Sequence, residues 1–117
     1  MAISQLISGS ETITATEWSL ATDTSYTSGD AQTTDGVFQL FIDFNALAVA
    51  DTYRIRLYEK VLSSSTQRIA EEWTVAGPLA SPVWISPSFI LLHGWDFTID
   101  KIAGTDRAID WSIRKVA

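Results

Sequence analysis

The single histidine and the aspartates are the side chains whose types and spacing come nearest to catalytic chemistry. His93 stands three positions before Asp96, and a hydrolytic triad would require such a pair beside an activated hydroxyl. No serine of the chain lies in a nucleophile-elbow pattern. A lone histidine beside a glycine at the end of a strand is more often structural. We therefore predict no catalytic role for His93.

The remaining carboxylates do not form a recognisable catalytic or metal-binding pattern. Asp96, Asp100 and Asp110 alternate with apolar residues, which predicts that they share a flat, polar strand face. Calcium needs several oxygen ligands that converge from a loop, so we expect these side chains to be solvated. Glu71 and Glu72 are adjacent and should point to opposite faces of a strand, which argues against an acid–base pair.

The composition excludes several further classes of chemistry. The chain has no cysteine, which excludes disulfides, thiolate ligands and a cysteine nucleophile. The six glycines are dispersed and match no phosphate-binding loop. We therefore expect a protein that is not an enzyme and that uses no metal and no cofactor.

Length and charge indicate one acidic, soluble domain. With 117 residues and a net charge of −6, the chain should form a single domain spanning residues 1–117. Its charges are interspersed, and no basic face is apparent for binding nucleic acid. The N-terminus lacks the pattern of a signal peptide, and the apolar run Phe89–Leu92 is too short to cross a bilayer. We expect neither nucleic acid nor membrane as a partner.

The C-terminal segment has the clearest alternation of apolar and polar residues. Trp95, Phe97 and Ile99 should share one face of a strand, and the pattern resumes after a turn near Gly104. We predict a hairpin in which these three residues pair, in this order, with Ile113, Trp111 and Ile109. Its apolar face would require cover from another sheet.

Several other strands complete an all-β pattern. Gly36–Asn45 has hydrophobic residues on both faces, which is typical of a central strand. A hairpin is predicted from Thr52–Val61 and Gln67–Val75, with Arg54 and Arg56 near Glu72. Because prolines flank it, Val83–Ile85 should be an edge strand or a short corner segment. Asn45–Asp51 is expected to be one helical turn or a tight connection. The fold class is an antiparallel β-sandwich or jelly-roll-like domain with seven to eight strands and at most one short helical turn.

The first 35 residues or so are rich in threonine and serine and are predicted to form an extended N-terminal arm and loop, in which Ile3, Leu6 and Ile7 could form a short strand or an arm. Further on, Trp18 is out of phase with Ile13, which indicates a bulge or a strand end near Glu17. The loop, Ala21–Asp35, contains Tyr26 as its one sizeable hydrophobic residue. A loop of this length is usually functional or flexible. Two interpretations stay open: a mobile excursion, or a segment that becomes ordered against a neighbouring subunit.

Five tryptophans are a high number for this chain length. They are interpreted first as core and cross-strand packing, and second as a sugar-binding platform or an assembly interface. An exposed, coplanar set of Trp18, Trp73 and Trp84 would favour a carbohydrate-binding module. The candidate interface residues are Trp18, Tyr26, Val83, Trp84 and Ile85.

From Asp35 onward, the stretches FIDFNAL, RIRLYEK, HGWDFTIDKIAGTDR and WSIRK resemble a group of small proteins encoded beside the capsid genes of tailed bacteriophages. The resemblance implies a virion structural role, most simply that of a capsid decoration (cement) protein. Its implied partners are the major capsid protein and copies of itself in a homo-oligomer. The implied location is the capsid surface, after synthesis in the host cytoplasm.

Two alternatives to capsid decoration remain at this stage. Within the same class, the protein would be a component of the phage tail or of the head–tail connector. From another class, the aromatic content and the acidic strand face would suit a carbohydrate-binding module.

Overall fold

Ten β-strands in two antiparallel sheets form the secondary structure of residues 2–29 and 32–116, which the computed structural model describes. They are β1 (Ile3–Ile13), β2 (Trp18–Ser19), β3 (Thr24–Ser25), β4 (Gly36–Asp43), β5 (Thr52–Glu59), β6 (Arg68–Ala76), β7 (Val83–Ile85), β8 (Phe89–Leu91), β9 (Asp96–Ala103) and β10 (Arg107–Val116). Sheet A has the order β1-β10-β4-β7, and β8 also pairs with β4. Sheet B has the order β3-β2-β9-β5-β6.

The predicted all-β antiparallel sandwich is confirmed. The described residues contain no helix. The strand count exceeds the predicted seven to eight because β2 and β3 have only two residues each, too few for an alternating pattern. The segment Asn45–Asp51 is a tight connection, in which Leu47 N–H donates to Phe44 O and Asp51 N–H donates to Ala48 O.

The core lies between the two sheets and is formed by the alternate residues of β4, β5, β9 and β10. Six aromatic rings make successive contacts across it, with centroid distances between 4.5 and 6.3 Å. In order of contact they are Phe38, Trp95, Phe97, Phe89, Trp73 and Trp84. Tilted and edge-to-face pairs of this kind add stability beyond the area that they bury. These contacts join β4, β7 and β8 of sheet A to β6 and β9 of sheet B.

The predictions for the central part of the chain are largely confirmed. β4 lies inside sheet A, between β10 on one side and β7 with β8 on the other. β5 and β6 pair as the predicted hairpin, and Arg56 Nε lies 2.7 Å from Glu72 Oε2. Arg54, however, pairs with Asp100 on the neighbouring strand β9. Val61 lies beyond the end of β5 and is 86% exposed, so its predicted place in the strand is wrong.

The predicted C-terminal hairpin is wrong. β9 pairs with β2 and β5 in sheet B, whereas β10 pairs with β1 and β4 in sheet A. Both strands do direct their large apolar residues into the core, but they face each other across the sandwich. Alternation indicates which face of a strand is buried, and it does not distinguish a neighbour in the same sheet from one in the opposite sheet.

The segment predicted as an N-terminal arm is the edge strand β1. It is paired with β10 from Ile3, opposite Val116, to Ile13, opposite Arg107. The chain then passes to sheet B, which explains why Trp18 is out of phase with Ile13. Part of the predicted loop Ala21–Asp35 forms β3, and Gln32 makes a β-bridge to Trp95. Positions 30 and 31 of that loop, like positions 1 and 117, lie outside the described residues.

Candidate functional site

Residues 14–29, which follow β1, cover the outer face of β9 and the end of β5 in sheet B. Glu17 accepts hydrogen bonds from the Tyr58 hydroxyl, at 2.7 Å, and from the Thr98 hydroxyl. The ring of Tyr26 stacks on Tyr58, with the centroids 4.6 Å apart. We call residues 14–29 the cover segment, because these contacts close the sheet surface beneath it.

The cover segment explains why the predicted solvation of the β9 aspartates is wrong. Asp96 and Asp100 are 0% and 6% exposed. Asp100 accepts two hydrogen bonds from the guanidinium of Arg54, at 2.6 and 3.1 Å. Asp110, on β10 in the other sheet, is exposed as predicted. The three carboxylates therefore do not share a face.

Asp96 is the most unusual ionisable group of the covered face. Its Oδ1 accepts a hydrogen bond of 2.8 Å from the hydroxyl of Ser19 on β2. Its Oδ2 is buried and has no hydrogen-bond partner among the described residues. Burial away from water raises the pKa of Asp96 to about 7, and the nearby Glu17 adds to the effect.

A second acidic side chain, Asp51, stabilises the turns at one end of the sandwich. Its carboxylate accepts hydrogen bonds from the backbone N–H groups of Ala48 and Thr105 and from Arg107 Nε, at 2.8 to 2.9 Å. These bonds, the two from the backbone first, lower its pKa to about 2. Asp51 thereby connects the β4–β5 turn to the β9–β10 arch, which is a structural role.

The outer face of sheet A, in contrast, is open, and we call it the open face. Val37 and Phe41 of β4 point outward, and their cross-strand partners are Ile90 and Ile85. The exposed fractions of Ile90, Val83 and Ile85 are 85%, 54% and 49%. At the same end of the sheet, Ile3 and Val116 continue the row that starts with Ile90 and Val37. An apolar surface of this kind on a folded domain is typical of an interaction site.

A shallow groove of about 510 Å³ crosses the open face beside these residues. Its lining combines serine side chains from β1 with Phe41, Asp110 and Arg114. The guanidinium carbon of Arg114 lies 3.8 Å from the centre of the Phe41 ring, a cation–π contact. The open face thus has apolar residues towards its β7 and β8 edge and polar and charged groups on β10 and β1, and such a mixed surface suits binding to another macromolecule.

The outward direction of Val83 and Ile85 follows from the way β7 and β8 pair with β4. Both lie on the same side of β4, and Pro87 interrupts the ladder between them. At the break, Ser86 Oγ accepts the hydrogen bond of Leu40 N–H at 2.9 Å and replaces a backbone acceptor. Strand alternation then points Val83 and Ile85 outward, with Trp84 inward.

The structure does not bring the five candidate interface residues together. Val83 and Ile85 belong to the open face, whereas Trp84 packs against Trp73 at the margin of the core. Trp18 and Tyr26 lie on sheet B, where Trp18 packs against the core and Tyr26 covers Tyr58.

Sequence reasoning missed three residues of the open face, namely Val37, Phe41 and Ile90. The available signal was the presence of hydrophobic residues on both faces of β4. It was interpreted as burial on both sides of the strand, although it also fits a strand with one face in the core and the other at an interface.

The tryptophans pack as core residues and form no sugar-binding platform. Trp95 and Trp111 are buried, and the other three are half-buried against the core. Trp73 and Trp84 meet at an interplanar angle of 67°, so they are not coplanar. Trp18 belongs to β2, which β9 and β5 separate from β6 in the strand order of sheet B. The arrangement that would favour a carbohydrate-binding module is absent from these three residues.

His93 is half-buried in the turn before β9, and Asp96, three positions further on, accepts a hydrogen bond from Ser19. Within residues 2–29 and 32–116, no three histidine, cysteine, aspartate or glutamate side chains are grouped so as to hold a metal ion. The same residues include no helix with the length and hydropathy of a membrane span.

Comparison with known proteins gives no relative. No protein-family model, no curated protein and no solved structure matches the chain. The functional argument therefore depends on the open face and on the resemblance of the sequence stretches described above.

Proposed function

We propose that this protein is a non-enzymatic structural protein of a tailed-bacteriophage virion, and that it decorates the capsid by binding the major capsid protein. The observation that carries the proposal is the contrast between the two outer faces of the sandwich. The cover segment occupies the part of one face that β9 and the end of β5 form, and the other face presents apolar side chains beside a shallow groove. The fold supplies a rigid body with one surface available for binding.

The chemistry of the open face supports a protein partner. Ile85 and Ile90 supply apolar contact area, and Arg114 and Asp110 supply charges of both signs at its margin. Protein interfaces commonly combine apolar contact area with polar and charged groups in this way. Nucleic acid is a poorer fit because the chain has a net charge of −6.

Co-sedimentation with capsids tests the proposal. Purified protein would be mixed with undecorated tailed-bacteriophage capsids assembled from the major capsid protein, and bound protein would be measured in the pellet. We expect saturable binding with a fixed number of copies per capsid. Absence of the protein from the pellet, together with no added density on the capsids in electron micrographs, would contradict the proposal.

The same preparation separates capsid decoration from a role in the tail or connector. A connector component is expected to form ring-shaped particles or to bind at a single vertex. Copies distributed over the whole capsid surface are expected of a decoration protein. Glycan titration with no change in tryptophan fluorescence would count against the carbohydrate-binding alternative.

A further inference from the structure

The edges of the two sheets differ in how well they are protected against pairing with another strand. Natural proteins blunt sheet edges with short strands, prolines, charges or covering segments. In sheet B, β3 has two residues, and β6 carries Arg68, Glu71 and Glu72. In sheet A, β7 and β8 have three residues each, with Pro87 between them. Three of the four edges therefore have recognisable protection.

The fourth edge, β1, lacks most of this protection. It is the longest strand among the described residues, with 11 residues, and it contains no proline, lysine or arginine. One side of its backbone is paired with β10. Its other side faces outward at the end of the sheet order. An outward edge of this length is a template for strand addition.

We propose that β1 pairs with β1 of a second copy of this chain, antiparallel and across a two-fold axis, so that sheet A continues from one subunit into the other. A two-fold axis makes such a junction self-complementary, because each strand offers the other the same set of donors and acceptors. The inference goes beyond the proposed function and does not depend on it.

The low charge of β1 permits a second copy as the occupant of this edge. Two copies with a net charge of −6 repel each other, so a junction between them requires a weakly charged surface. Glu11 is the one ionisable side chain of β1. With the axis at Ser8, the midpoint of the strand, the two Glu11 side chains are about 20 Å apart at roughly 3.3 Å per residue. That separation exceeds the screening length of about 8 Å at physiological salt.

The irregularity of β1 is compatible with this axis. The ladder with β10 has a bulge between Gln5 and Ile7, and it runs without interruption from Ile7 to Ile13. About an axis at Ser8, residues 5–7 of each strand lie opposite residues 11–9 of the other, so the pairing is regular at its centre, residues 7–9, and a bulge flanks it on each side. Pairing there would also place the two open faces side by side on one continuous sheet.

Cross-linking through single cysteines tests the proposal, because the natural chain has no cysteine. Ser8→Cys places a thiol at the axis, where it meets its copy at cross-strand distance. Thr12→Cys lies on the same outward face of the same strand, but about 26 Å from its copy, at roughly 3.3 Å per residue. Ser64→Cys, in the exposed β5–β6 loop, reports random collision.

Under mild oxidation of dilute protein, we expect Ser8→Cys to form a disulfide-linked dimer at least tenfold faster than either control. Light scattering of the unmodified chain should give a mass about twice the subunit mass of 12.9 kDa. The double variant Ser8→Lys, Ser10→Lys should have the mass of a monomer. Equal rates for Ser8→Cys and Ser64→Cys would overturn the proposal. So would a monomer mass for the unmodified chain at every concentration.

Discussion

Ser19 of the cover segment and Asp96 of β9, 77 positions apart in the sequence, are joined by a hydrogen bond of 2.8 Å, and neither residue is exposed. Tyr58 of β5 lies opposite Asp96 in the ladder. The charge of Glu17 in the cover segment raises the pKa of Asp96. The charge of Asp96 in turn raises the pKa of Tyr26. Arg56 lies beside Glu17 and pairs with Glu72. No ion pair among the described residues includes Asp96, so an ionised Asp96 has no counter-charge in direct contact.

Stability should therefore fall as the pH rises from about 4 to about 7. Burial raises the pKa of Asp96 from its usual 3.8 to about 7. Because of this raised pKa, the folded state binds the proton of Asp96 more tightly than the unfolded state does. The resulting stabilisation of the folded state is complete below pH 3.8 and is lost by about pH 7. At about 1.4 kcal/mol for each pH unit between the two values, the loss is on the order of 4 kcal/mol.

The variant Asp96→Asn tests this directly. It cannot ionise, so its free energy of unfolding should lack the decline between pH 4 and pH 7 and should exceed that of the unmodified protein at pH 8. Asp110→Asn, at an exposed position of β10, is the matched control and should retain the decline. Denaturant unfolding at a series of pH values measures all three proteins, and parallel curves for the unmodified protein and Asp96→Asn would refute the prediction.

Glu17→Ala should loosen the cover segment without unfolding the sandwich. The substitution removes the acceptor for the hydroxyls of Tyr58 and Thr98, and a hydrogen bond to a charged group contributes about 1.5–3 kcal/mol. Amide hydrogen exchange in residues 18–26 should accelerate by at least about tenfold, since 1.4 kcal/mol is a factor of ten. Exchange in β10 should be unchanged. Thr16→Ala, at an exposed position of the same segment, should have no comparable effect.

Asp51→Asn should destabilise the protein and change its response to acid. The Asp51 pKa is lowered to about 2 by hydrogen bonds to its charged form, so its stabilisation is present above pH 3.8 and is lost as the pH falls towards 2. Thermal unfolding should occur at a lower temperature in Asp51→Asn at pH 7, and the difference should shrink below pH 3. Asp43→Asn, at an exposed position of β4, serves as control, and an equal effect of both substitutions would contradict the assignment.

The period-two pattern predicted the fold class and the inward faces of the main strands, because burial of every second residue is a local property of a strand. It did not predict that β9 and β10 belong to different sheets. That partition depends on the arch at Gly104, where φ is 93°. The arch is bonded to Asp51, which is distant in the sequence, through the backbone N–H of Thr105.

The binding surface was harder to predict than the fold. Val83 and Ile85 were identified because flanking prolines indicate an edge strand. Trp18 and Tyr26 were chosen for their aromatic rings, which in the structure serve the core and the cover segment. Whether Asp96 faces solvent depends on the cover segment, and no local pattern in β9 encodes its presence.

The open face should be the surface that contacts the capsid. Ile85→Lys combined with Ile90→Lys introduces two charges into its apolar centre, where exposed fractions of 49% and 85% leave room for the longer side chains. We expect capsid binding to weaken by at least about 100-fold, or roughly 2.7 kcal/mol, with no change in thermal stability. Val49→Lys is the matched control, since Val49 is 80% exposed in the β4–β5 turn, away from this face, and it should bind normally.

Cryo-electron microscopy of decorated capsids is the most direct test of the central claim. The account predicts density for the domain on the capsid surface, with β4, β7 and β8 of sheet A turned towards the major capsid protein. Capsids without added density, or density in which the covered face of sheet B makes the contact and the open face of sheet A lies in solvent, would contradict it.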